Sequence, residues 1–263
     1  MGRAELQFQN FTRGGLKVEL CQSERRLRKV WQFRAEIFRG EIQREDRDIW
    51  DETYLNFCIK CVEKNAILGF FRRGIFRNGA AAMRGYSAQF FDLSPLTVFD
   101  RPVLELGRFA VDPLQGNLRE NSDVFRLAWG VVTQLVDQNV VTQLVDQNNV
   151  SFLFGCSSFK GTRPAAHRAA FRYLYRNNHI APSRWRPVFH GGYPLVEALD
   201  SPEHGHVTDL PPLLRAYLSL GGKVSDHAVC DADLGTTLLF TGVNVAQVPQ
   251  KRAQRLQAIL AAH

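Results

Sequence analysis

The chain has 263 residues, 45% of them hydrophobic and 22% charged, which is enough apolar material for a full buried core and excludes a disordered chain. Its formal charge of +7 favours an acidic partner, whether nucleic acid, an anionic membrane surface or an acidic carrier protein. The basic residues are 26 Arg and only 7 Lys, and the planar guanidinium suits bidentate recognition of carboxylate and phosphate, which disfavours nucleic acid.

The first ten residues carry Arg3 and Glu5 and no apolar stretch of signal type, and no apolar run of about eighteen residues occurs. A cytoplasmic protein is expected, with peripheral contact on the cytoplasmic membrane face as a further expectation. Five scattered cysteines, an odd number, argue against a disulfide framework. Cys58 and Cys61 fall in a strand-like stretch where residues three apart face opposite sides of the sheet, so they read as small buried hydrophobes.

In chain order, Ser23 and Glu24 open a helix with the apolar stripe Leu27, Val30, Trp31, Ile37 and Phe38. Arg34 falls inside that stripe and requires an anion, because a buried unpaired charge is costly. An acid-rich segment with Asp48 and Asp51 follows, then strand-like runs at 56–62 and 66–72, and a loop at 78–96. Residues 103–111 read as a buried strand interrupted by Gly107, where a bulge is expected to bring Arg108 to the side of Glu105. A helix capped near Ser122 or Asp123 runs toward Val136, and a strand at 150–156 completes a strand–helix–strand unit that predicts a parallel crossover.

Inside that unit, VVTQLVDQN at 131–139 recurs residue for residue at 140–148. On an ideal helix nine added residues turn the apolar face by about 900°, half a turn out of phase, and add about 13 Å. One copy must therefore loop out, overshoot the sheet or expose an apolar face. Thr162 and Pro164 then open a helix with Arg168, Arg172 and Arg176 on one face. The C-terminal part has a helix from Pro211-Pro212 to Gly221-Gly222, strands at 223–230 and 236–245, and a short terminal amphipathic helix.

The run Phe33-Arg34-Ala35-Glu36-Ile37-Phe38-Arg39, the acidic Asp48-Ile49-Trp50-Asp51, and Leu104-Glu105-Leu106-Gly107-Arg108 followed by Val111-Asp112-Pro113 occur in an order that resembles the acyl-homoserine-lactone synthase and ornithine acyltransferase branch of the GNAT superfamily. Leu153-Phe154-Gly155-Cys156-Ser157-Ser158-Phe159, Leu210-Pro211-Pro212-Leu213-Leu214 and Gly221-Gly222-Lys223-Val224-Ser225-Asp226-His227 are similar to L-ornithine N(alpha)-acyltransferases, over roughly residues 25–250. The duplicated nonapeptide departs from that pattern.

The resemblance implies an α/β fold, a mixed, mostly antiparallel sheet whose fourth and fifth strands splay apart, flanked by helices. A GNAT-like core at 1–200 and a C-terminal α/β extension at 201–263 are expected. It also implies transfer of a 3-hydroxyacyl group from acyl carrier protein to the α-amine of L-ornithine, with acyl-phosphopantetheine as donor and no tightly bound cofactor.

Direct attack of an amine on a thioester needs a base, orientation and oxyanion stabilisation. Glu105, between Leu104 and Leu106, is the candidate catalytic carboxylate, the alternative being a structural pair with Arg34 or Arg108. Asp48 and Asp51 are candidates for an ammonium group of ornithine, and Arg34 and Arg108 for its carboxylate, each with a structural ion pair as the alternative. Ser157 and Ser158 are candidates to line the thioester site, and Cys156 reads as packing. Ser122 and Asp123, at a helix start, are candidates for the pantetheine phosphate, although residues 114–119 lack the glycine-rich signature. The Arg168, Arg172 and Arg176 stripe is a candidate dock for the carrier protein or anionic lipid, a solvated face being the alternative. His204, His206 and His227 lack the setting of a zinc site, and no metal is expected. Two other readings remain: a homoserine-lactone synthase using S-adenosylmethionine as acceptor, and a non-catalytic binding protein disabled by the repeat at 131–148.

Overall fold

The computed structural model describes residues 10–41, 44–112, 123–124, 126–131, 150–200, 204–252 and 254. They fall into two compact units built from interleaved segments, the first holding residues 1–73, 108–135 and 254–263 and the second residues 74–107 and 136–253. Residues on both sides of position 200 belong to the second unit. The architecture is mixed α/β with mostly antiparallel strand pairs, as expected.

In the first unit, β1 (Phe11–Arg13) and β2 (Leu16–Leu20) form a hairpin. Its two-residue loop is Gly14-Gly15, both with positive φ (57° and 79°), the conformation that matches the twist of the flanking strands. β2 pairs antiparallel with β3 (Leu55–Cys61), and β3 with β4 (Ala66–Phe76), the register shifting between Ile59 and Lys60. Cys58 and Cys61 are buried free thiols. Helix α1 (Glu24–Arg39) starts after Ser23 and ends at Gly40, which takes the left-handed conformation at φ 70°. Its buried residues Leu27, Val30, Trp31 and Phe33 pack with Cys21, Cys58, Phe70 and Ala110, as the apolar spacing predicts.

In the second unit, β5 (Val103–Val111) pairs in parallel with β6 (Phe152–Lys160) from Val103↔Phe152 to Leu106↔Gly155. The expected parallel crossover is thus present, carried by β5 and β6. A Cβ on Gly155 would lie 2.3 Å from the Leu106 carbonyl oxygen, so this approach requires glycine. Beyond Gly155, β6 continues to Lys160 paired with β10 (Thr236–Asn244), an antiparallel match along the whole strand. β10 also pairs with β8 (Lys223–Val224) and β9 (His227–Asp231), and β9 with β7 (Tyr193–Pro194).

The run Leu238-Leu239-Phe240 is apolar without alternation because both faces of β10 are covered. Leu238 and Phe240 pack with Phe91, Leu96, Phe152, Phe154 and Trp185. Leu239 packs on the other side with Phe171 and Leu174 of α2 (Arg168–Arg176) and Leu214 of α3 (Pro212–Ser219).

Three expectations are corrected. The loop at 78–96 is a chain of 3-10 turns, Gly79–Arg84, Tyr86–Gln89 and Ser94–Val98. The helix at Pro164 begins as a 3-10 turn, Pro164–His167, and is α-helical only from Arg168. The strand at 223–230 is broken at Ser225, whose hydroxyl donates to the His227 carbonyl at 2.6 Å and accepts the Phe240 N–H at 3.2 Å. The repeat, apart from Val131, lies outside the described residues.

Candidate active site

Each unit buries charged side chains that bear on the candidate site. In the first, α1 carries Arg34 inward at 0% exposure, and the acid-rich segment supplies the anions that such an arginine requires. Arg34 donates from Nε to Asp46 Oδ2 at 2.9 Å and from Nη1 to Asp51 Oδ1 at 2.6 Å. Arg39, one turn and a residue further along α1, reaches the other oxygen of Asp46 at 3.1 Å. Arg72 of β4 grips Asp48 with both Nη atoms (2.5 and 2.7 Å) and reaches Asp51 at 2.9 Å. Arg108 approaches Asp48 at 3.3 Å and Asp46 at 3.6 Å.

Local chain geometry aims the carboxylates. Asp48 caps the 3-10 turn Ile49–Glu52 by accepting the Trp50 N–H at 3.0 Å, while Asp51 accepts the Asp48 N–H at 3.0 Å, a reciprocal capping box. Arg34, Asp48, Asp51 and Arg108 are therefore brought together, with Asp46, Arg39 and Arg72 as members that the sequence reading missed. Burial works against ionisation of Asp46 and Asp48, but the charges of Arg34 and Arg108 with the hydrogen bonds of Arg34 and Arg39 on the first, and the hydrogen bonds and charge of Arg72 on the second, outweigh it and hold both carboxyls below the usual range. Asp48, with its side chain 17% exposed, keeps access to solvent, whereas Arg34 and Asp51 have none.

At the bulge expected from Gly107, the unusual backbone conformation falls on the next residue. Arg108 itself holds a left-handed φ of 50°, a conformation that costs free energy outside glycine.

In the second unit, Glu105 is also 0% exposed. Its Oε2 accepts the Tyr86 N–H at 3.0 Å, and its Oε1 accepts the Ser87 N–H at 2.6 Å and the Ser87 hydroxyl. These two N–H groups open the 3-10 turn Tyr86–Gln89, so Glu105 satisfies donors that have no partner within the turn. A Cβ on Gly85 would lie 2.5 Å from Glu105 Oε2; glycine is what lets the carboxylate come this close.

Around it, the Cys156 thiol meets Ser87 Oγ at 3.4 Å and the Tyr86 hydroxyl meets Asp231 Oδ2 at 3.4 Å. Burial, with Glu105 adding to it, pushes the Cys156 thiol up, and burial does the same to the Tyr217 phenol. Cys156 is thus a protonated packing residue, a poor nucleophile.

Ser157 and Ser158, adjacent on β6, face opposite sides. Ser157 is fully buried and accepts the Thr241 hydroxyl at 2.9 Å, so it does not line an open site; Ser158 is exposed. Ser122 lies outside the described residues, and Asp123 is helical and paired with Arg126 at 3.4 Å. The arginine stripe is uneven: Arg168 and Arg176 are exposed, whereas Arg172 is half-buried and donates to the Leu199 carbonyl at 3.1 Å.

A cavity of about 620 Å³ in the second unit is lined by Tyr175, Ile180, Phe189, Val196, Arg186 and Asp226 among others, and Glu105 is not part of its wall. Among the described residues no group of three or more His, Cys, Asp or Glu side chains is placed to hold a metal ion, and no helix is long and apolar enough to cross a membrane.

Residues 30–128 match the acetyltransferase (GNAT) domain. The chain is similar to a protein named L-ornithine N(alpha)-acyltransferase from Brucella abortus, at 26% identity over 90% of this chain and 87% of the relative. A second of that name, from Rhodobacter capsulatus, is 31% identical over 68% of this chain and 66% of the relative. Among solved structures, an N-acyl amino acid synthase from uncultured soil microbes aligns over 91% of this chain and 97% of that one, at 10% identity and a TM-score of 0.41.

Proposed function

The chain belongs to the GNAT acyltransferases, and from that premise we propose that it moves a 3-hydroxyacyl group from the phosphopantetheine thioester of acyl carrier protein to the α-amine of L-ornithine. The observation that carries this reading is the similarity, over nine-tenths of the chain, to proteins named for acyl transfer to that nitrogen. In the reaction the amine nitrogen attacks the thioester carbonyl, the C–N bond forms, the C–S bond breaks, and the amine proton ends on the departing thiol. The product is a lyso-ornithine lipid.

Glu105 is assigned to the amine. Anchored on the Tyr86 and Ser87 N–H groups, its carboxylate stands in fixed orientation to accept a proton from the ammonium that must be deprotonated before attack. A Cys156 thiol pushed up by burial supports direct attack by the amine over an acyl-cysteine intermediate. In the first unit, Asp48 is the carboxylate with solvent access and is the candidate contact for an ammonium of the acceptor. The exposed Arg168 and Arg176 are the candidate dock for the acidic carrier protein, and an anionic membrane face would meet the same chemistry.

The test is an assay of purified protein with 3-hydroxyacyl carrier protein and ornithine, following free thiol and product mass, beside a variant lacking residues 140–148. Lyso-ornithine lipid from the full chain is the expected result. Thiol release without an ornithine adduct, or acylation of a different amine in preference, would overturn the reading.

A further inference from the structure

We propose that Arg73 is an anion-binding residue whose guanidinium receives a carboxylate or phosphate oxyanion of one of the two substrates, an inference that rests on the acyl transfer proposed above. Arg72 and Arg73 are neighbours in β4 and so project to opposite faces of the strand. Both are buried, at 0% and 5% exposure, and there the likeness ends. Arg72 is delivered to Asp48 and Asp51. Arg73 has no carboxylate within ion-pair distance among the described residues, and its Nε is enclosed without an acceptor.

Its surroundings on that face are apolar. The residue across the strand pair is Leu55. The preceding side chain on the same face of β4, Phe71, is stacked on Phe57 at 4.9 Å and on Phe109 at 6.1 Å. Burial alone pushes the Arg73 guanidinium down to about 10, which still leaves it charged at neutral pH.

A protonated guanidinium against apolar walls destabilises the fold unless an anion meets it. A methionine or leucine would fill the same volume without that cost. The arrangement makes physical sense when the counter-ion arrives from outside, because the planar fork of arginine binds a carboxylate or a phosphate through two parallel hydrogen bonds. Each substrate of the proposed reaction brings one such group: the α-carboxylate of ornithine, and the phosphodiester of the donor's phosphopantetheine.

The experiment compares the wild type with Arg73→Met and Arg73→Lys. Thermal unfolding is followed without ligand and with inorganic phosphate, L-ornithine, 1,4-diaminobutane (ornithine without its carboxylate) or coenzyme A. Arg73→Met is expected to unfold at a higher temperature than wild type when no anion is present, and to lose at least tenfold in affinity for the anion that stabilises the wild type. Arg73→Lys, charged but without the fork, should fall between them. If ornithine stabilises the wild type and 1,4-diaminobutane does not, the carboxylate is the partner and the KM for ornithine rises in Arg73→Met with the donor KM unchanged. If inorganic phosphate and coenzyme A stabilise instead, the donor KM rises alone.

Equal anion-induced shifts in all three proteins, no shift in any, or a less stable Arg73→Met with unaltered anion affinity, would overturn the proposal. Because unfolding is read without turnover, a protein that binds anions through Arg73 but makes no lyso-lipid would count against the acyl-transfer reading and leave this one standing.

Discussion

Both units bury carboxylates, but they treat them differently. In the first, Asp46, Asp48 and Asp51 are met by guanidinium groups of Arg34, Arg39, Arg72 and Arg108, so charge answers charge and the capping box ties the network to the backbone. In the second, two backbone N–H groups and a hydroxyl are among the groups that fix Glu105 in position. The first arrangement is built to hold α1, the acid-rich segment and β4 in register. The second seats a carboxylate on the start of a 3-10 turn.

That contrast can be broken most forcefully at Arg72. Arg72→Met takes from Asp48 the guanidinium that grips both its oxygens and from Asp51 one of the two that meet it, and removal of one member of a buried pair costs about 3–5 kcal/mol. Chemical denaturation should show a loss of that order, and a loss under about 1 kcal/mol would mean that the network is not what holds these elements together.

Acid sharpens the comparison next. Asp46 and Asp48 have folded-state pKa values below their unfolded ones, and Glu19, hydrogen-bonded by Lys17 and Lys60, is lowered to about 2. Groups lowered on folding bind more protons when unfolded, so their contribution is complete above the unfolded carboxylate range of about 4 and disappears as pH falls through the folded values. Unfolding free energy followed from pH 7 downward should therefore stay level and then fall below about pH 4, and Asp46→Asn should flatten that fall. A slope unchanged in Asp46→Asn would remove Asp46 from the acid response.

A smaller effect is expected at the surface. Reversing charge at Arg168 and Arg176 should raise the KM for the carrier protein several-fold, more at low salt than at high, and spare the KM for ornithine, since exposed charges act mainly on encounter. An unchanged donor KM would return both residues to solvent.

How far the sequence foretold this arrangement depends on the distance over which each feature is decided. Arg34 in the apolar stripe of α1 demanded an anion, but the carboxylate weighed as its partner was Glu105, whereas Asp46 and Asp51 of the acid-rich segment meet it. Arg72 obeys the same logic, yet its partners lie more than twenty residues earlier, and an Arg-Arg pair in a strand gives no sign of which member meets them. Ser87 was invisible for a different reason: its part depends largely on a backbone N–H at the start of a 3-10 turn, in a stretch without periodicity. The Gly14-Gly15 hairpin turn was in plain view and overlooked because its first strand has only three residues. Gly107 drew attention to the end of β5, but the left-handed conformation there belongs to Arg108, whose side chain is held by Asp48.

The most direct test of the account is the turnover of Glu105→Gln with 3-hydroxyacyl carrier protein and ornithine, measured together with its unfolding free energy. Glutamine keeps the shape but cannot take the amine proton, so turnover should fall roughly 100-fold or more, while stability falls by no more than the about 1–3 kcal/mol of disturbed hydrogen bonds. Turnover near wild type in a folded Glu105→Gln protein would contradict it, and would leave Glu105 as the cap of a 3-10 turn and nothing more.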